Sequence, residues 1–179
     1  LDLFDKAIAL ARETKLLFLE RIWTLNRANV WREDGRLDEA LSAYRWVMQT
    51  EDPRAPDNAT FLAPKSIGIV YRKTGKARQA LSMLEPLAKR AGAAPLRIQW
   101  EIFMELASAY EAAGRREEAE RSYRRTLEIL EEQRNTGILE SSRTGSFAYH
   151  LSRFDPYERF INELTADPSD AKRIQEAYH

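Results

Sequence analysis

The chain has no cysteine, only three valines and two histidines, and no apolar stretch near the roughly 20 residues that cross a bilayer as a helix. Without cysteine there is no disulfide, no thiolate metal ligand and no cysteine nucleophile. Scarce valine disfavours a sheet. Seven glycines and seven prolines in 179 residues are too few for a low-complexity chain. Charge of one sign is also missing: 28 Lys+Arg offset 28 Asp+Glu, so no uniform field draws the chain to nucleic acid or a membrane surface. No basic segment followed by an apolar run opens the chain, as a secretory signal would. The expected setting is cytoplasmic.

What is present favours helices. Ala, Leu, Glu, Lys and Arg make 91 of the 179 residues, and 44% of the chain is apolar, enough for a core. Leu1 opens directly into a helical pattern (Leu3, Phe4, Ala7, Ile8, Ala11) without an initiating Met, as expected of a piece of a longer protein.

An internal period governs the fold. Trp31-x3-Gly35-x4-Ala40-x3-Tyr44, Tyr71-x3-Gly75-x4-Ala80-x3-Leu84 and Tyr110-x3-Gly114-x4-Ala119-x3-Tyr123 share one spacing. A small residue (Ala28, Gly68, Ala107) stands three places before each leading aromatic, and a basic one (Arg36, Lys76, Arg115) follows each glycine. This is the spacing of a helical hairpin. The aromatic sits on the last turn of a first helix, glycine supplies a left-handed stop, and the small residues let two helix backbones approach. One hairpin cannot bury both faces, so neighbours must stack.

The pattern resembles the tetratricopeptide repeat (TPR) family over residues 3–134. Ala7 precedes Ala40 by 33 residues, near the family period of about 34, and marks an earlier half-repeat. The steps Ala40 to Ala80 (40) and Ala80 to Ala119 (39) are longer, the extra length lying in Pro-containing loops at 51–60 and 91–96. Arg27 departs from the Leu usual in the family. The expected fold is all-α, a TPR-type superhelical array of antiparallel hairpins, with helices at 3–14, 16–33, 37–50, 60–74, 77–90, 95–113 and 116–134. Residues 1–134 form a half-repeat plus three full repeats, and 135–179 a C-terminal helical extension or cap. In that extension Phe147, Leu151, Phe154, Ile161 and Leu164 continue an apolar stripe. Asp155-Pro156 and Asp167-Pro168 each read as an N-cap followed by proline, giving a break near 155 and a last helix over 168–178.

Tyr123-Arg-Arg-Thr-Leu-Glu-Ile-Leu-Glu-Glu-Gln-Arg134, Pro156-Tyr-Glu-Arg-Phe-Ile-Asn-Glu-Leu164 and Ala177-Tyr178 are similar to the linker of bacterial TPR-CHAT proteins, in which repeats precede a caspase-like domain. In that family the catalytic His and Cys follow the repeats, so the resemblance assigns no catalytic residue here. The sequence also lacks a phosphate loop, a dinucleotide Gly-x-Gly-x-x-Gly and a His-Glu-x-x-His. His150 and His179 have no Cys to pair with, and the adjacent carboxylates Glu117/Glu118 and Glu131/Glu132 diverge on a helix. No catalytic residue, metal or cofactor is expected.

Charge is uneven along the chain. Residues 61–100 carry eight basic and one acidic residue, whereas 101–142 carry six and ten. Lys65, Ile69, Arg72 and Lys73 share one helix face, and the resemblance places them in the concave groove. Asn29 and Arg32 flank them on one side, Met104 and Ser108 on the other. The expected ligand is a protein or peptide, acidic in character. The competing reading is solvated cations or pairs with Glu101, Glu105 and Glu111, each contributing about 0–1 kcal/mol. The clamp by which chaperone-binding TPR proteins hold a terminal carboxylate is absent, its positions reading Leu25, Asn29, Ile69, Glu101 and Glu105.

A weak nucleic-acid-binding module is disfavoured by the neutral total and by aromatics committed to the core. A segment of an enzyme contributing to its substrate site is the alternative from another class. Trp23, Trp46 and Trp100 are less bound by the motif, so one could be an exposed anchor. Apolar ends at Leu3, Phe4 and Ile8, and at Ile174 and Tyr178, suggest self-association.

Overall fold

The computed structural model describes residues 1–50 and 58–135, with side chains to 133. These form seven α-helices: α1 (Asp2–Glu13), α2 (Leu17–Glu33), α3 (Leu37–Gln49), α4 (Ala59–Lys73), α5 (Ala77–Lys89), α6 (Leu96–Ala112) and α7 (Arg116–Asn135). The expected helices are all present within two residues at either end. The stretch at 91–96 is not wholly loop, because Ala91–Ala93 forms one 3-10 turn. The apolar stripe, the break near 155, the last helix and the cap beyond 135 lie outside the described residues.

The three turns show why the aromatic, the glycine and the basic residue recur together. Gly35, Gly75 and Gly114 have φ of +77°, +75° and +71°. The N–H of the following residue reaches back to the carbonyl of the leading aromatic: Arg36 to Trp31 and Lys76 to Tyr71 at 2.8 Å, Arg115 to Tyr110 at 2.9 Å. That is the Schellman closure, which normally adds an apolar contact between the same two positions. Here a cation supplies it, Arg36 lying 5.2 Å from the Trp31 ring and Arg115 4.7 Å from Tyr110. The same guanidinium groups then pair with the first turn of the next helix, Arg36 with Glu39 at 2.9 Å and Arg115 with Glu118 at 2.7 Å. The turn between α1 and α2 closes identically, Leu16 to Ala11 at 2.9 Å, but Lys15 (φ +56°) takes the glycine's place.

The described residues divide into two compact units, the first ending at Ala94 and the second beginning at Pro95. In the first, α1 packs on α2, α2 on α3, α3 on α4 and α4 on α5, and α2 also touches α4. Its core joins Ala28, Ala40, Tyr44, Val47, Ala63, Ile67 and Val70, with Trp31, Trp46 and Tyr71 at the edge. In the second, α6 pairs with α7 around Trp100, Met104, Ala107, Ala119, Tyr123 and Ile129. The small residues act as the spacing requires, for Ala28, Ala40, Ala80, Ala107 and Ala119 are all fully buried at helix crossings.

Candidate functional site

Because α2 touches α4, residues of these two helices form a composite face within the first unit. Asn29 and Arg32 come from α2, and Lys65, Ile69, Arg72 and Lys73 from α4. Lys73 is exposed, Arg32, Lys65 and Arg72 are half-buried, and Ile69 is buried, so Ile69 holds the helix down rather than offering contact surface.

Asn29 has an internal task. Its Oδ1 accepts the Tyr44 hydroxyl at 2.7 Å, and buried Ser66 of α4 adds a second polar group that favours the ionised phenol. Burial pushes the Tyr44 phenol above its ordinary value against the opposing pull of nearby Arg32. This polar knot ties α2, α3 and α4 together beneath the basic residues. Arg32 pairs with Glu33 at 2.7 Å, so a carboxylate shares the face with the cations. Arg45, on α3, donates to the Tyr71 hydroxyl at 3.2 Å and adds a cation beside α4 that the helix-face spacing did not reveal.

Met104 and Ser108 behave otherwise than expected. Both are 3% exposed, Met104 lies in the core of the second unit, and the Ser108 hydroxyl donates to the Met104 carbonyl at 3.1 Å. They fill α6 rather than line an open groove. The spacing placed them on the correct helix, but did not register that α6 buries most of its circumference, from Ile102 to Ala109. Among the acidic residues weighed as internal partners, Glu101 accepts from Arg97 at 2.8 Å and Glu111 from the Tyr123 hydroxyl at 2.6 Å. At the N-terminal end Ile8 is buried, a correction to its place among exposed end residues, whereas Leu3, Leu10 and Phe18 are exposed. Ile174 and Tyr178 lie outside the described residues. Of the unassigned tryptophans Trp100 is buried, and Trp23 and Trp46 are half-buried.

The first unit also contains a cleft of about 370 Å³ among α1, α2 and α3. Thr24, Arg27 and Trp31 line it from α2, Ser42 and Trp46 from α3, and Arg12 from the end of α1. The Arg27 guanidinium lies 4.5 Å from the centre of the Trp31 ring and pairs with Asp5. Thr24, Arg27 and Trp31 follow at spacings of three and four, a different stripe of α2 from that of Asn29 and Arg32. Among the described residues, no group of three carboxylate or imidazole side chains could hold a metal ion, and no helix is long and apolar enough to cross a membrane.

Residues 103–136 match the family model of the tetratricopeptide repeat. No curated protein matches the chain significantly. Among solved structures, the nearly identical TPR-like repeats ascribed to a kinesin light chain of Podosopora anserina align with a TM-score of 0.65 at 17% identity, over 99% of this chain and 81% of that one. At that identity the likeness concerns the fold, which is an all-α array of TPR-like helical hairpins.

Proposed function

We propose that the chain is a non-catalytic TPR-type scaffold that holds an acidic protein or peptide segment along α2 and α4. The observation that carries this reading is the composite face formed by Arg32, Lys65, Arg72 and Lys73 on two touching helices, above the Tyr44, Asn29 and Ser66 knot that holds those helices in place. The surplus of cations in 61–100 supplies the attraction. An extended acidic chain crossing both helices meets cations along its length, while α3 and the turns hold the platform rigid, which limits the ordering cost of binding.

The test is titration of the whole chain with a fluorescein-labelled oligoglutamate peptide, with oligolysine as control. The acidic peptide binds, the basic one does not, and affinity falls steeply as salt shortens the Debye length from about 10 Å toward 3 Å. Combined Lys65→Glu, Arg72→Glu and Lys73→Glu reversal weakens binding at least about tenfold, roughly 1.4 kcal/mol, while the helical circular dichroism signal is retained. Unchanged affinity in that variant refutes the site.

The resemblance at 123–134 and 156–164 further supports a place in a larger bacterial protein, the repeats acting as the regulatory or sensing arm of a TPR-CHAT protease. Reading the coding sequence past His179 tests this. A His and a Cys within an α/β pattern support the assignment, and a stop codon there removes it.

A further inference from the structure

We propose that the first unit carries a second recognition site, the cleft among α1, α2 and α3, and that it takes the aromatic side chain of a partner protein. The three repeats, compared position by position, show that the cleft is not a necessary product of the fold. Seven residues before the leading aromatic stand Thr24, Pro64 and Phe103, and four before it stand Arg27, Ile67 and Leu106. In the second and third repeats these positions hold apolar residues, with Pro64, Ile67 and Leu106 buried. In the first repeat a small hydroxyl and a cation replace them, and both of those residues line the cleft. Departures of this kind from an otherwise consistent pattern concentrate at working sites.

The lining selects the occupant. A volume of about 370 Å³ lies at the small end of the ligand-pocket range and accepts one large side chain with its adjoining backbone, not a helix. The charges at the cleft already have partners: Arg12 donates to Glu20 at 2.8 Å, Arg27 to Asp5, and Arg36 to Glu39 at 2.9 Å. An uncharged guest therefore leaves no ion stranded, whereas a charged one would have to break a pair. The walls are two indoles, Trp31 and Trp46, with the guanidinium of Arg27 laid on one of them. Planar π systems and cations that stack on them favour a flat, electron-rich ring over an aliphatic group of equal size. The hydroxyls of Thr24 and Ser42 suit a phenol or an indole N–H at the ring's polar end.

The experiment follows the four indole N–H signals of the intact 15N-labelled chain by two-dimensional NMR during titration with N-acetyl-tyrosinamide and, separately, N-acetyl-leucinamide. The tyrosine probe shifts the Trp31 and Trp46 signals saturably, leaves Trp23 and Trp100 in place, and binds at least tenfold more tightly than the leucine probe. Thr24→Phe, which installs the third repeat's residue, fills the cleft and weakens the tyrosine probe at least tenfold. Ser42→Phe does the same from an exposed rim position that no core packing depends on, so the result stands even if the first variant fails to fold. Absence of a saturable shift overturns the proposal, as do equal shifts at all four tryptophans, equal affinity for the leucine probe, or unchanged binding in Ser42→Phe. None of these outcomes bears on the basic face of α2 and α4, whose residues are separate.

Discussion

Tyr44 is fully buried, and its hydroxyl joins α3 to α2 through Asn29, with Ser66 of α4 acting on the same phenol. Its raised phenol pKa has a definite consequence for stability. The unfolded chain begins to lose this proton near pH 10 while the folded chain still keeps it, so the contribution is complete below that pH and is lost as pH rises through the folded value. Tyr44→Phe is expected to lower stability near neutral pH by about 1 kcal/mol for the lost hydrogen bond to Asn29. The difference from the parent shrinks above about pH 10, and urea denaturation at two pH values measures both effects. Glu39 and Glu118 behave oppositely. A bond from its own backbone N–H and one from Arg36 hold Glu39 below the usual carboxylate range, and Arg115 with the backbone N–H does the same for Glu118. What they contribute is present above the ordinary carboxylate pKa and fades as pH falls through the lowered one.

At the scale of the helix, α4 combines two unusual residues. Gly68 sits where a Cβ would meet the side chain of buried Leu84 at 2.7 to 3.0 Å. Gly68→Ala gains about 1 kcal/mol of helix propensity but incurs an overpacking cost of about 1–3 kcal/mol, so it destabilises. In a Leu84→Ala background the obstruction is gone and the same change stabilises, a reversal of sign readable by thermal denaturation. Pro64 cannot donate to the Thr60 carbonyl one turn back, and Arg90 donates to that carbonyl instead, at 2.8 Å, while lying 5.2 Å from the Phe61 ring. Arg90→Ala should cost about 1 kcal/mol and clearly less in a Pro64→Ala chain, where a backbone N–H takes over the bond. A double-mutant cycle reads that coupling.

The helices themselves were legible because glycine, aromatic and alanine recur at fixed spacing and the physics of a hairpin turn needs all three. The Arg90 bond was not legible, since nothing in sequence spacing links residue 90 to a carbonyl 30 places earlier. Lys15 shows the converse: it falls between the expected helices 3–14 and 16–33, although the residue adopting positive φ there is not a glycine.

For the whole molecule, repeats differ in how far they keep to the common pattern. The family model matches 103–136, the repeat that has Phe103 and Leu106 where the first has Thr24 and Arg27. Of the residues expected to share a groove, those of α2 and α4 lie on helices that touch, whereas Met104 and Ser108 are buried, Met104 in the core of α6 and α7. Periodicity says which side chains share a helix face, not how many faces of a helix its neighbours cover. The division at Ala94 gives this a thermodynamic form. In a repeat protein stability is a sum of local terms and nearest-neighbour interfaces, so damage should stay local. Tyr123 is fully buried in the second unit and its hydroxyl donates to Glu111, so Tyr123→Ala should cost that unit about 3–5 kcal/mol. Amide exchange in α6 and α7 then accelerates by about two to four orders of magnitude, while α1, α2 and α3 stay within about a factor of three of the parent. Hydrogen exchange read by mass spectrometry separates this from the alternative, in which all seven helices lose protection together and the array opens in a single step.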